Sequence, residues 1–106
     1  MLFFRFALYK IGDQELEIFD SLIIPQNLCI FIAKHFQAHI RNNLIRVQGP
    51  QSITCGVYCI FYLFHRYLNI DLLFEDFLDD FFEESFDKNE QIISKFKKHY
   101  IDNVPF

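Results

Sequence analysis

The chain has 106 residues, 52% of them apolar and 19% aromatic, with 15 Phe and a formal net charge of −4. That length bounds it to one small domain or part of a larger one, and the apolar content excludes disorder. An acidic balance without a basic cluster excludes nucleic-acid binding by phosphate neutralisation, and the apolar runs fall short of the ~18–20 residues of a membrane span.

Residues 2–10 predict a strand, and Leu16–Asp20 a second, with Ile11-Gly12-Asp13-Gln14 supplying a hairpin turn. Arg5 interrupts the apolar N-terminus and no small-residue cleavage site follows, so this stretch reads as a strand and not as a signal peptide. From Pro25 the period becomes helical: Leu28, Phe31/Ile32, His35/Phe36 and His39/Ile40 predict a helix over about 26–40. Asn42-Asn43 breaks it, and Leu44–Gln48 predicts a short strand. A loop over 49–54 follows, where Pro50 removes an amide donor.

Cys55 to Leu68 is apolar nearly all round, the pattern of a core helix, and Ser52 or Thr54 can cap its start. The last third predicts two amphipathic helices. Leu73, Phe74, Phe77, Leu78 and Phe81 form one stripe. Asp87 and Glu90 read as a capping box before Ile93, Phe96 and Tyr100, with Lys95, Lys97 and Lys98 near the C-terminal end. Between Asp71 and Glu90 there are nine acids against Lys88 alone, which reads as a solvated acidic face or an acidic docking surface. The resulting order, β-β-α-β-α-α-α, is of the α+β class. Gly and Pro number three each, leaving no linker or low-complexity segment. Three cysteines are an odd count for a secreted disulfide framework, so reduced thiols in an intracellular compartment, cytoplasm or nucleus, are expected.

Cys55 is the residue with the strongest chemical case. At a helix start, unpaired amides favour the thiolate and can also hold an oxyanion. Gly56 has no side chain to obstruct an approaching backbone, and Gln48 can present a neutral amide donor. The alternative is a buried small hydrophobe, as cysteines often are. Cys59, one turn on, reads as a core thiol, and Cys29, on the first helix, as core or partly exposed.

"VQGPQSITCGVYCIFYLFHR" resembles the nucleophile segment of the adenovirus-type cysteine proteases, whose relatives include the ubiquitin-like-protein proteases and the proteases of large virus-like DNA transposons. In that superfamily a Gln on a short strand is followed by a small loop and a Cys-Gly opening the central helix. Gln48, Cys55 and Gly56 match, and "LEIFDSL" is similar to the strand that ends in the triad acid, which makes Asp20 that acid. The likeness spans residues 1–68; the helices of 69–106 lie outside its motifs. It implies a partial papain-like cysteine protease fold and thiol-protease activity, with Cys55 as nucleophile, Gln48 and the Cys55 amide as oxyanion hole and Asp20 orienting a His. It also implies a protein or polypeptide substrate cleaved at a Gly-containing site, and no cofactor.

That His is missing. Counting back from Asp20 places it at or before Met1-Leu2-Phe3-Phe4, and the histidines present are His35, His39, His65 and His99. His65 lies ten residues along the Cys55 helix, ~15 Å away, out of proton-transfer reach. His35 and His39 could share a helix face as a metal pair, but a zinc site needs three or four ligands and nothing else is spaced to join them. Without its base the chain is expected to be inactive by itself. A C-terminal fragment of a longer protease and a decayed copy are the two readings. Both imply exposed apolar surface and self-association. The other class of function is a non-catalytic interaction module using the acidic, Phe-rich C-terminal helices.

Overall fold

The computed structural model of the protein describes residues 6–49 and 55–102. Three strands form one sheet in the order β1 (Phe6–Gly12), β2 (Glu15–Asp20), β3 (His39–Asn42). β1 and β2 form the expected antiparallel hairpin, with Phe6 opposite Asp20 and an irregularity between Lys10 and Gly12. The expected residues 2–5 of the first strand lie outside the described residues. β3 runs parallel to β2, from Glu15 opposite His39 to Ile18 opposite Asn42. A parallel neighbour needs a crossover, and α1 (Gln26–Phe36) supplies it.

Here the structure corrects the sequence reading twice. The first helix stops at Phe36, not at residue 40, and the third strand is 39–42, not Leu44–Gln48. The cause is a backbone cap. Gln37 adopts the left-handed conformation at φ 50°. Its N–H donates to the Lys34 carbonyl at 3.4 Å and that of Ala38 to the Ala33 carbonyl at 3.1 Å, a Schellman closure built without glycine. His39 N–H then donates to the Gln14 carbonyl at 2.7 Å and starts the strand. Ile40 continues the apolar period, but as a strand residue packed on the α1 side of the sheet.

β2 is central and buried from Leu16 to Asp20. Its alternation divides the molecule into layers. Leu16 and Ile18 join Leu8, Ile24 and Ile32 under α1. Phe19 and Ala7 face α2 (Cys55–Leu68), α3 (Phe74–Phe81) and α4 (Phe86–Phe96) on the other side. That second layer is largely aromatic: Phe19 stacks on Tyr62 at 4.9 Å and on Phe82 at 5.5 Å, and Phe61 meets Phe96 edge-on at 5.2 Å.

α2 has the boundaries its sequence predicts, although its proposed caps Ser52 and Thr54 lie outside the described residues. Its burial differs. Tyr58, Cys59, Phe61, Tyr62 and Arg66 are buried, whereas Ile60, Phe64, Tyr67 and Leu68 stay exposed and, with Leu63, line an apolar groove of about 480 Å³. The helix lies along a three-stranded sheet with α3 and α4 on its flank, and on its outer face Phe64 still meets Phe96 and Tyr100 at 5.7 and 4.9 Å. α4 starts at Ser85, whose hydroxyl accepts from Lys88 N–H at 3.3 Å; the cap is therefore two residues before the expected Asp87, which sits in the first turn. A π-helical turn over 97–101 extends α4. No helix among the described residues is long and apolar enough to cross a membrane.

Candidate active site

The C-terminal end of β2 carries the first candidate. Asp20 is fully buried. Its carboxylate Oδ1 accepts from Leu22 N–H at 2.9 Å, and its carbonyl accepts from Ile23 N–H at 2.9 Å, so the chain turns immediately after it. Ile23 is held at φ 72°, a left-handed conformation that a β-branched residue rarely adopts. Asn43 clamps the same residue from the other side. Its Nδ2 donates to the Asp20 carbonyl at 2.8 Å, and its Oδ1 accepts from Asp20 N–H at 3.1 Å. β3 ends one residue earlier at Asn42, so this carboxamide takes the next rung of the ladder in place of a backbone peptide.

The second candidate, Gln48, is joined to the residue after Asp20. Val47 and Gln48 N–H groups both donate to the Ser21 carbonyl, at 3.0 and 3.1 Å. The Ser21 hydroxyl donates to Gln48 Oε1. Gln48 is fully buried, and with Oε1 committed to Ser21 its donor atom, Nε2, is on the other arm of the carboxamide. The segment is pinned further by Asn89, whose Nδ2 donates to the Val47 carbonyl at 2.9 Å.

Cys55 opens α2 and is half-buried. Among the described residues, an added Cβ at Gly56 would meet no atom within 4 Å outside its chain neighbours and its own helix backbone. One turn down, the Cys59 thiol is pushed up to about 12, chiefly by burial, with the Asp20 carboxylate and the Cys55 sulfur adding to the effect. The structure thus brings Asp20 and Gln48 together through Ser21, and sets Cys55 at the start of α2.

No histidine joins them among the described residues. The residue across β1 from Asp20 is Phe6, and residues 1–5 contain no His. His65 is surrounded by Phe61, Phe81 and Phe96 at 4.5 to 5.7 Å, and burial lowers its pKa. His35 packs between Phe31 and Phe36 on α1, and His99 against Tyr100 in the π-turn. His39 lies on β3, so it shares no helix face with His35. Among the described residues no three His, Cys, Asp or Glu side chains are grouped to hold a metal.

Ser21 and Asn43 were invisible as site residues in the sequence. Asn43 read only as a helix breaker, and Ser21 carried no signal. A third feature was also unread. On the α2 side of β2, buried Glu17 accepts from Tyr62 Oη at 2.8 Å and from Arg66 Nε and Nη2 at 2.8 and 2.7 Å. Arg66 Nη1 goes on to the Asn69 and Leu72 carbonyls. This network lines up α2 on the strand that ends in Asp20. Comparison with known families, curated proteins and solved structures finds no match to this chain.

Proposed function

We propose that the chain carries the nucleophile side of a cysteine peptidase site of the adenovirus and ubiquitin-like-protease type. The observation that supports this best is the Ser21 link, which ties Gln48 to the residue after Asp20. Cys55 attacks a peptide carbonyl as thiolate, forming a C–S bond. Gln48 Nε2 and the Cys55 N–H hold the oxyanion. Collapse breaks the C–N bond; the leaving amine takes a proton from an imidazolium that Asp20 orients, and water then hydrolyses the thioester. The substrate is a polypeptide cleaved at a Gly-containing site. The imidazole has to come from outside these 106 residues, so the chain alone turns over poorly.

The test is alkylation of the full chain by iodoacetamide across a pH series, with each cysteine followed by mass spectrometry. Cys55 should react first, ahead of Cys29 and Cys59. Reaction of Cys55 no faster than Cys29 counts against the proposal. A second reading, a binding module without turnover, is favoured by the absence of histidine around Asp20, and that slow outcome is what it expects.

A further inference from the structure

A groove of about 690 Å³ lies on the α3–α4 side of the molecule; Asp20, Gln48 and Cys55 do not line it, though Asn43 and Val47 beside them do. That is within the ~300–1,000 Å³ of ordinary ligand sites. One wall is Leu44 and Ile45, which are 83% and 76% exposed. Adjacent aliphatic side chains so fully offered to water form an apolar wall with nothing against it among the described residues. Leu78 and Phe82 line the groove with them. The rim is acidic: Glu75, Asp79, Glu83 and Glu84 line the same groove, with Lys88 as the cation among its lining residues. Arg41 approaches Glu75 at 3.8 Å from outside the groove. Glu75 has a helical reason to be where it is, in the first turn of α3. Asp79 has none: it sits in the second half of an eight-residue helix, toward the negative end of the dipole, and Glu83 and Glu84 follow that same end.

We propose that this groove binds a basic, amphipathic peptide segment of a partner protein. Its apolar residues cover Leu44 and Ile45 and fill the groove to Leu78 and Phe82, and its Lys or Arg side chains meet Asp79, Glu83 and Glu84. Charge complementarity selects this occupant. An acidic or neutral segment would leave like charges or unpaired carboxylates around an apolar contact. The rigid anchoring of the wall supports it: Asn89 bridges Val47 on one side to Glu83 on the other, donating to both carbonyls at 2.9 Å and accepting from Glu83 N–H at 2.7 Å. The groove is therefore preformed and pays little ordering entropy on binding.

The probe is a fluorescein-labelled synthetic peptide of repeated Lys-Leu-Leu-Lys, titrated with the full chain and read by polarisation. The expected result is saturable binding, weakened at least about tenfold by E83K/E84K and by L44S/I45S, and also weakened by salt. The double variant D13K/E15K, on the β1–β2 turn, carries the same change in net charge and should bind within about twofold of the unmodified chain. Equal loss in the two charge variants would mean unspecific attraction and overturn the proposal, as would absence of binding by the unmodified chain. Sedimentation of the free chain is the second measurement. A dimer that L44S/I45S dissociates would assign the groove to a second copy and overturn the partner peptide.

Discussion

Glu17 and Arg66 form a buried, two-bond ion pair, with Nε and Nη2 of the guanidinium on the two carboxylate oxygens at 2.8 and 2.7 Å. Both are inaccessible, at the interface of β2 and α2. Desolvation of two charges costs about as much as their attraction returns. The pair is therefore a device for alignment more than for net stability. Tyr62 completes the carboxylate's bonding and is the ring on which Phe19 stacks.

Breaking that pair from one side should be severe. Glu17→Leu leaves a buried guanidinium, and a loss of about 3–5 kcal/mol is expected in urea denaturation. The double change Glu17→Leu with Arg66→Met should cost less than either single change. A double variant as unstable as the sum of the two would show that the residues are not coupled and overturn this reading of the pair.

Gln37 is a correctable fault. A non-glycine residue in the left-handed conformation is strained, and the Schellman closure there favours Gly. Gln37→Gly should raise stability by about 1 kcal/mol, read as a higher thermal midpoint. An unchanged or lower midpoint would mean that this cap holds no strain.

Asn89 holds two loops with one side chain. Replacing it by Ala orphans the Val47 and Glu83 carbonyls and the Glu83 amide, so a loss of about 2–4 kcal/mol is expected. Because Val47 and Gln48 share the Ser21 carbonyl, the alkylation rate of Cys55 should change as well. Hydrogen exchange should rise at residues 43–48 before the rest of the sheet.

At alkaline pH the fold should weaken. Cys59, Tyr58 and Tyr62 all have raised pKa values, the first cause in each being burial, with Glu90 acting on Tyr58 and Glu17 on Tyr62. The folded state keeps these protons above the ordinary values near 9 and 10, where the unfolded chain releases them. Stability is thus complete below pH 9 and falls as pH climbs through the 9–12 range, with each group adding up to ~1.4 kcal/mol per pH unit. Thermal midpoints across that range check it, and Cys59→Ala should flatten the slope.

At acid pH His65 has the opposite sign. Burial lowers its pKa, so the neutral ring is the folded form and protonation is favoured in the unfolded chain. Its contribution is intact above about pH 6.5 and is lost as pH falls below it. His65→Phe, which keeps the aromatic contacts, should shift the acid unfolding midpoint downward.

Much of this architecture was legible because apolar period reports burial. The hairpin, the span of α2 and the two C-terminal helices follow from alternation and from 3.6-residue spacing. The stop of α1 was not legible, since Gln37 carries none of the glycine signal that normally marks a left-handed cap, and Ile40 extends the helical period while belonging to a strand. The outward face of α2 was unreadable for a related reason: Ile60 and Tyr67 have the composition of core and yet stay exposed. At the candidate site, Cys55 and Gln48 stand out by residue type and position, and Asp20 only through the resemblance of its strand. Ser21 and Asn43, which hold Gln48 and Asp20, act through hydrogen bonds between distant parts of the chain and leave no periodic trace. The Glu17–Arg66 pair is hidden in the same way, as one buried charge on a strand opposite one buried charge on a largely apolar helix.

Asn43 gives the sheet an unusual editability. The rung beside Asp20 belongs to a side chain and not to the main chain, so a single codon can remove it. Exchanging a backbone rung would take a change of register, with every neighbour moved to the wrong face. A change of Asn43 to Asp replaces the donor that faces the Asp20 carbonyl by an acceptor, and opens the sheet edge next to the candidate acid while all three strands keep their pairing. The position works as a latch whose key is one amide nitrogen, open to mutation.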